Sequence, residues 1–449
     1  MMDTKTTLYS ALAEAQRDRM RAAEKQIWAH PETGFKEWKT HAYLKAEMER
    51  LGYTLTEAGD IPGFYADADT GRPGPMIVLM AEMDSIVNFA HPAHDPATGA
   101  VHACCHHAQC ASLLGAAAAL KAQGALEGMS GRVRLMFVPA EELLEIEFRE
   151  DLRRQGVIQY FGGKVECMRR GWFDGASACL MLHTDSGSGS FTLNSGMNGC
   201  IVKRIAYQGV STHAASPQQA VNALYGATLG LNAVNAIRET FRDGDHVRVH
   251  PIFTGRVGTV NNIPDLTTLE SYVRAAEIGA LKKANQRVNR ALVGAAAAMG
   301  CGIQICDRPG YSPVNNDANL YQLVKQVMVS LVGEQNVHEK AEWSGGSTDM
   351  GNVSCVFPAL HPYGSGYSGT AHGADCSATD PESALTLAAK LFCCVSYALL
   401  KDGGAAANAI YAQRKTPYGS VKEYLEDLNA MFADIDGVSY TENGAVLRW

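Results

Sequence analysis

A chain of 449 residues is too long for one ordinary hydrophobic core, so two domains are the default expectation. With 46% hydrophobic and 19% charged residues it reads as a folded globular protein, and a net charge of −8 without Lys/Arg clusters argues against a nucleic-acid surface. No secretory signal is legible at the start, no apolar run approaches the length that spans a bilayer, and twelve cysteines lack the spacing of a disulfide framework. They read as reduced thiols, with one or two serving as metal ligands, in a cytoplasmic protein.

In chain order, residues 8–29 carry apolar positions at helical spacing and end at Pro31-Glu32-Thr33-Gly34. A helix over 38–51 stops at Gly52, and 53–57 and 64–68 alternate like strands. Residues 76–80, Met-Ile-Val-Leu-Met, form a continuous apolar run, the pattern of a strand buried on both faces. It leads into Glu82-Met83-Asp84, which puts acidic groups at its carboxyl end, where ligands bind in open α/β sheets. A helix over 111–123, a strand over 132–138 ending in Pro139-Ala140-Glu141-Glu142, and a strand over 178–182 ending in His183 follow. Buried strands that each end in potential ligands, with helices between, predict a mostly parallel sheet with one active edge.

The pattern changes near Asn194-Ser195-Gly196. Strand 201–207, helix 218–238, strands 247–253 and 266–275, helix 278–299 and strand 302–306 give the order βαββαβ of a small two-layer domain, which reads as an insertion. Helix 319–331, the Gly345-Gly346-Ser347-Thr348 turn, a loop over 361–372 and helix 381–399 resume the first domain, and a weakly patterned tail closes the chain. The expected domains are therefore residues 1–195 and 310–449 for the catalytic part and 196–309 for the insert.

The densest chemical signal is Val101-His102-Ala103-Cys104-Cys105-His106-His107, with three histidines and two cysteines in six residues. Thiolate and imidazole donors crowded at a strand-to-helix junction point to a transition metal, most often zinc. Partner donors exist elsewhere. Adjacent side chains at a strand end face opposite ways, so one of Glu141 and Glu142 can bind metal while the other serves as a base. Alone, that pair is also a solvated acidic turn, His183 a core histidine and His372 a loop histidine. Their joint placement at strand ends and on loops of one domain is what points to a site.

These pieces resemble a known family. His30-Pro31-Glu32-Thr33-Gly34-Phe35, Glu82-Met83-Asp84-Ser85-Ile86, His102-Ala103-Cys104-Cys105-His106, Pro139-Ala140-Glu141-Glu142 and Leu182-His183 occur in its order. Thr212-His213-Ala214-Ala215-Ser216-Pro217, Asn262-Ile263-Pro264 and His372 continue it. The chain resembles the metallopeptidase and amidohydrolase family that includes aminoacylase, carboxypeptidase G, auxin-conjugate hydrolases and aminobenzoyl-glutamate hydrolases. The segment Gly345-Gly346-Ser347-Thr348-Asp349 is most like the aminobenzoyl-glutamate hydrolase branch.

The resemblance implies a di-zinc exopeptidase-like α/β fold with an inserted ferredoxin-like lid and dimerisation domain. It implies two divalent ions held by Cys104, His106, Glu142, His183 and His372, with Glu141 as general base and Asp84 orienting a ligating histidine. A cysteine ligand favours zinc, while imidazole and carboxylate also suit manganese. His213 would act on the oxyanion in the partner subunit of a homodimer. Asn262 and Arg274 would take the carboxylate of a small-molecule substrate, and the turn carrying Ser347 and Thr348 could hold an anion with its backbone N–H groups or simply cap a short helix. The implied activity is hydrolysis of an N-acyl or N-aroyl amino acid, p-aminobenzoyl-glutamate among them. A dipeptidase on the same site, or a binding or subunit homologue with weakened catalysis, are the rival readings. Relatives usually carry Gly, Asp and His where this chain has Cys105, His107 and Gln109, and the last reading rests on that departure.

Overall fold

The computed structural model describes residues 4–255 and 258–449. Two compact units emerge: Met1–Gly196 with Asn315–Glu342 and Asn352–Val421, and Met197–Val314 with Trp343–Gly351 and Lys422–Trp449.

The first unit is organised on a six-stranded sheet. Met76–Glu82 lies inside it with all seven residues buried, as its two-faced apolar sequence requires. It pairs in parallel with Arg132–Val138 and Ala176–Met181, and Ala359–Leu360 adds in parallel beyond the latter. Phe64–Asp69 and Leu55–Glu57 extend the other edge in antiparallel fashion, so the sheet is mixed and mostly parallel, as expected. Helix His106–Leu120 lies against Met76–Glu82 and is flanked by Arg17–Trp28 and Ala388–Leu400. All fifteen of its residues are buried, which its Ala-rich sequence permits. At Gly115 an added Cβ would run into the Met20 side chain, so a larger residue there requires Met20 to move.

Several expectations change. The helix read over 8–29 is two helices, Thr4–Glu14 and Arg17–Trp28; the second begins where Arg17 makes a two-bond pair with Glu382 at 2.8 and 2.9 Å. A second, five-stranded sheet combines His183–Ser186, Phe191–Asn194, Val337–Lys340, Tyr363–Ser368 and Ser377–Ala378. It turns part of the loop read over 361–372 into a strand of sequence Tyr-Gly-Ser-Gly-Tyr-Ser, which has no period-two apolar signal. The segment Glu382–Leu400, 19 residues at mean hydropathy 1.7, does reach the length and apolarity that could cross a bilayer, contrary to the sequence reading. Because 78% of that window is buried, it is the pattern of a core helix.

The second unit has the expected βαββαβ core. Gly199–Gln208, Arg248–Thr254, Leu266–Ala275 and Gly302–Pro309 form an antiparallel sheet with Gly199–Gln208 between Leu266–Ala275 and Gly302–Pro309. Helices Ala223–Ile237 and Ile278–Ala298 pack on it over Ile201, Ile205, Leu269, Val273 and Ile305. Leu266–Ala275 shows why this works: every second residue is buried, so Thr267, Leu269, Ser271, Val273 and Ala275 share one inward face. The tail supplies a fifth strand, Ala433–Asp436, paired to Gly302–Pro309.

Inside this unit an ionic cluster joins helix to sheet. The buried Lys203 ammonium donates to Asp307 and, at 2.8 Å, to Asn285 Oδ1; Asp307 Oδ2 also accepts from Asn285 at 2.6 Å and Asn289 at 2.9 Å. Burial pushes Lys203 below the usual lysine range, with the Asp307 charge opposing it. Breaking such a pair strands a charge, so Asp307→Ala is expected to cost about 3–5 kcal/mol in urea unfolding. Replacing both members, as Lys203→Met with Asp307→Leu, is expected to recover most of that loss, and equal losses in the single and double variants would refute the stranded-charge account.

Candidate metal centre

Three parallel strands of the first unit deliver chemistry at their carboxyl ends. Asp84 follows Met76–Glu82, residues 139–142 follow Arg132–Val138, and His183 follows Ala176–Met181. The helix read over 111–123 begins earlier, at His106, which brings His106 and His107 into its first turn. No Ser, Thr, Asp or Asn caps it; Cys105 stands at the N-cap in the left-handed conformation, φ 71°. Ala140 (φ 56°) and His372 (φ 62°) share that conformation. A side chain there costs about 1–2 kcal/mol, so each must be held by its surroundings. They are: Cys105 N–H donates to His102 O at 3.0 Å, His372 N–H to Ala103 O at 3.0 Å, and Asn88 Nδ2 to His372 O at 2.8 Å.

Two sets of three donors come together. Cys104, His106 and His183 form one, Cys104, Glu142 and His372 the other, and within each set the ligand atoms lie within 4.8 Å of one another. Cys104 Sγ is 3.5 Å from His183 Nε2, and His372 Nε2 is 3.2 Å from Glu142 Oε1. His183 Nδ1 meets Thr184 O at 2.8 Å; a carbonyl only accepts, so Nδ1 carries the hydrogen and Nε2 is left to bind. His106 is fixed likewise, its Nδ1 facing Asp84 O at 3.0 Å and Asp84 Oδ1 at 3.1 Å. Asp84 Oδ2 accepts from Glu142 N–H at 2.7 Å, so one buried carboxylate orients donors of both sets. A third set, Glu82, His106 and Glu141, places the Glu141 carboxylate beside the first. Sulfur, imidazole and carboxylate in two groups that share one thiol could hold two divalent ions, and His106 Nε2, buried and without a hydrogen bond, is a donor still lacking a partner.

The electrostatics agree with that use. Burial and the Glu142 charge push the Cys104 thiol up, but His106 and His183 outweigh them and bring it down to about 6, towards the thiolate that binds metals. Burial would lower His106 and His183; the Cys104 charge instead raises both. Hydrogen bonds to Cys104 and Glu142 lift His372 to about 11, and the same His372 contact overrides burial to hold Glu142 at about 2.

Support comes from residues to which the sequence reading gave no role. The buried Arg149 guanidinium donates to the carbonyls of Ala140, Phe161 and Glu142, bracing the corner that carries Glu141. Glu37, raised by burial and the Asp84 charge, accepts from Ala140 N–H at 2.7 Å. Glu82 pairs with Lys164, both fully buried. His361 is buried with both ring nitrogens unpartnered, 6.0 Å from the His183 ring; burial and that neighbour push it down to about 3 and keep it neutral. Glu82 stands two residues before Asp84 on the same strand face, which was a readable signal. Lys164, in a segment without pattern, offered none.

The departures near the donors also resolve. Cys105 occupies a left-handed position, His107 Nε2 meets Tyr367 OH at 2.5 Å and Glu24 at 3.4 Å, and Gln109 donates to Glu82 at 2.9 Å. His102 is buried with both ring nitrogens unpartnered and belongs to neither donor set.

In the second unit, His213 and Asn262 form an isolated antiparallel bridge and are both exposed. His213 Nδ1 accepts from Ala215 N–H at 3.0 Å. Arg274 Nη1 donates to Gly345 O at 3.4 Å, which sets it beside the turn of Ser347 and Thr348. Thr348 Oγ1 accepts from Met350 N–H at 3.3 Å, the cap of a helix only five residues long, while Ser347 Oγ is buried and unpartnered.

The sequence is similar to human Xaa-Arg dipeptidase, 28% identical over 369 residues that cover 77% of this chain and 76% of that protein. It is similar also to a p-aminobenzoyl-glutamate hydrolase subunit of Escherichia coli (strain K12), 29% identical over 63% of this chain and 56% of that one. In fold it matches a Bacillus subtilis dinuclear metal binding peptidase from the M20 family, with TM-score 0.63 and 21% identity over 86% of this chain and 99% of that one. The sequence model of peptidase family M20/M25/M40 matches residues 78–397, well over half of the chain. The chain therefore belongs to peptidase family M20/M25/M40, and it is a metal-dependent amidohydrolase or peptidase.

Proposed function

We propose that this protein hydrolyses the amide bond of N-acyl or N-aroyl amino acids that carry a free carboxylate. The observation that carries the reading is the pair of donor sets sharing Cys104, with the Glu141 carboxylate beside them. Cys104, His106 and His183 would hold one ion and Cys104, Glu142 and His372 the other; the thiolate favours zinc, and the imidazole and carboxylate donors also suit manganese. When bound, divalent ions supply Lewis-acid polarisation of a carbonyl and lower the pKa of water.

Glu141 takes the proton of the attacking water as the amide carbonyl is attacked, and returns it to the leaving amine. Asp84 keeps His106 in the tautomer that leaves Nε2 free. His213 of the partner subunit in a homodimer stabilises the oxyanion. Asn262, Arg274 and the turn of Ser347 and Thr348 receive the substrate carboxylate, Arg274 through its planar fork. p-Aminobenzoyl-glutamate is the first substrate to try, on the likeness to the Escherichia coli protein. Dipeptides are the second, on the likeness to human Xaa-Arg dipeptidase.

Metal-loaded protein is expected to release glutamate and aminobenzoate from p-aminobenzoyl-glutamate, or a free amino acid from a panel of acyl-amino acids and dipeptides. Glu141→Ala is expected to lose roughly 10²–10⁴-fold in kcat while keeping its metal content. Full activity in that variant would end the mechanism. A second outcome concerns the two copies of the chain: neither Glu141→Ala nor His213→Ala protein is expected to work alone, but purified heterodimers of the two should recover part of the rate. No recovery would place His213 in the chemistry of its own chain or outside the reaction.

A further inference from the structure

Glu82 ends the central strand Met76–Glu82, and its side chain is 1% exposed. Its two oxygens have different company. Oε1 is paired with the buried Lys164 ammonium. Oε2 accepts from Gln109 Nε2 at 2.9 Å and also stands 3.1 Å from His106 Nε2.

The last contact is the one that bears on metal binding. Lys164 and Gln109 already satisfy the carboxylate. His106 Nδ1 carries its hydrogen towards Asp84, so in the neutral imidazole Nε2 presents a lone pair. A cation at that position, whether a proton on Nε2 or a metal ion, offsets the repulsion between the lone pair and the carboxylate oxygen 3.1 Å away, and Nε2 makes no hydrogen bond to Oε2. Glu82, His106 and Glu141 offer ligand atoms within 4.8 Å of one another, a third donor set fused to the first through His106. Charge points the same way: two divalent ions would face only one thiolate and one carboxylate among the five donors Cys104, His106, Glu142, His183 and His372. A further buried carboxylate reduces that imbalance, and the ammonium on its far oxygen limits how much negative charge it can lend.

We propose that Glu82 is an additional carboxylate ligand for the ion held by His106 and His183, and that Lys164 weakens that ion by competing for the same carboxylate. The inference rests on the two-ion reading of the site. It makes Glu82 and Lys164 opposed in effect although they are partners in one salt bridge.

The test is a metal titration of the full-length protein against a chromophoric chelator, for zinc and cobalt, with the visible spectrum of the cobalt form as a second readout. Wild type is expected to take two equivalents. Glu82→Gln, which keeps the shape and a hydrogen-bonding oxygen, is expected to weaken one equivalent by more than about 100-fold, beyond the ~10–100-fold that loss of an outer partner costs, and to shift the cobalt bands. Lys164→Met is expected to tighten that same equivalent; if it does not fold, Lys164→Gln, which keeps a donor without the charge, replaces it. A loss of about 100-fold or less in Glu82→Gln, which an outer partner also gives, or weakening in both variants, overturns the inference while two equivalents in wild type leave the two-ion reading standing. No uptake by wild type overturns both.

Discussion

One sulfur atom sets the geometry of the centre. Cys104 belongs to both donor sets, so everything that places His106, His183, Glu142 and His372 has to place them relative to it. The constraint is satisfied by the left-handed residue that follows. Cys105 turns the chain so that Cys104 stops just short of a helix and His106 begins it, which puts two donors on either side of one backbone bend. The thiolate then sits near the amino end of a fifteen-residue helix, where the aligned peptide dipoles favour negative charge. That helix cannot drift, because all of its residues are buried between Met76–Glu82 and the flanking helices.

The remaining donors are attached to rigid elements by buried polar groups. Asp84 contacts His106 and the Glu142 amide together, and Arg149 and Glu37 hold the backbone on either side of Glu141. Unsatisfied buried polar atoms are costly, so a network this connected ties the position of each donor to the others. His372 is the exception. It lies on a loop, half of its side chain is exposed, and it is tethered by its backbone to Ala103 and Asn88. Four donors are fixed by buried groups, and the fifth comes from a half-exposed loop.

Much of this was readable from residue order. The apolar run at 76–80 announced a doubly buried strand, the acidic and histidine residues after each such strand announced the active edge, and alternation in 266–275 announced the insert. What was not readable has a physical reason in each case. The strand Tyr363–Ser368 is built from glycine, serine and tyrosine and is held by its neighbours, not by its own pattern. The start of His106–Leu120 lacks a capping side chain, so nothing in the sequence marks it. Lys164 and Arg149 look like surface charges until the fold buries them against Glu82 and against three carbonyls. The membrane-length helix Glu382–Leu400 shows the converse, where composition alone permits what burial rules against.

The first unit is assembled from three stretches of chain, and that has a consequence for how the protein is made. Cys104, His106, Glu142 and His183 leave the ribosome long before His372, with 188 residues between the last two. At about 5–20 residues per second, roughly 10–40 s pass in which the early donors exist without the closing histidine and without the core helix Ala388–Leu400. The whole second-unit core is translated in that gap and can fold first as an independent piece. A chain in that interval carries the early thiol and imidazole groups before the segment that brings His372 beside them exists.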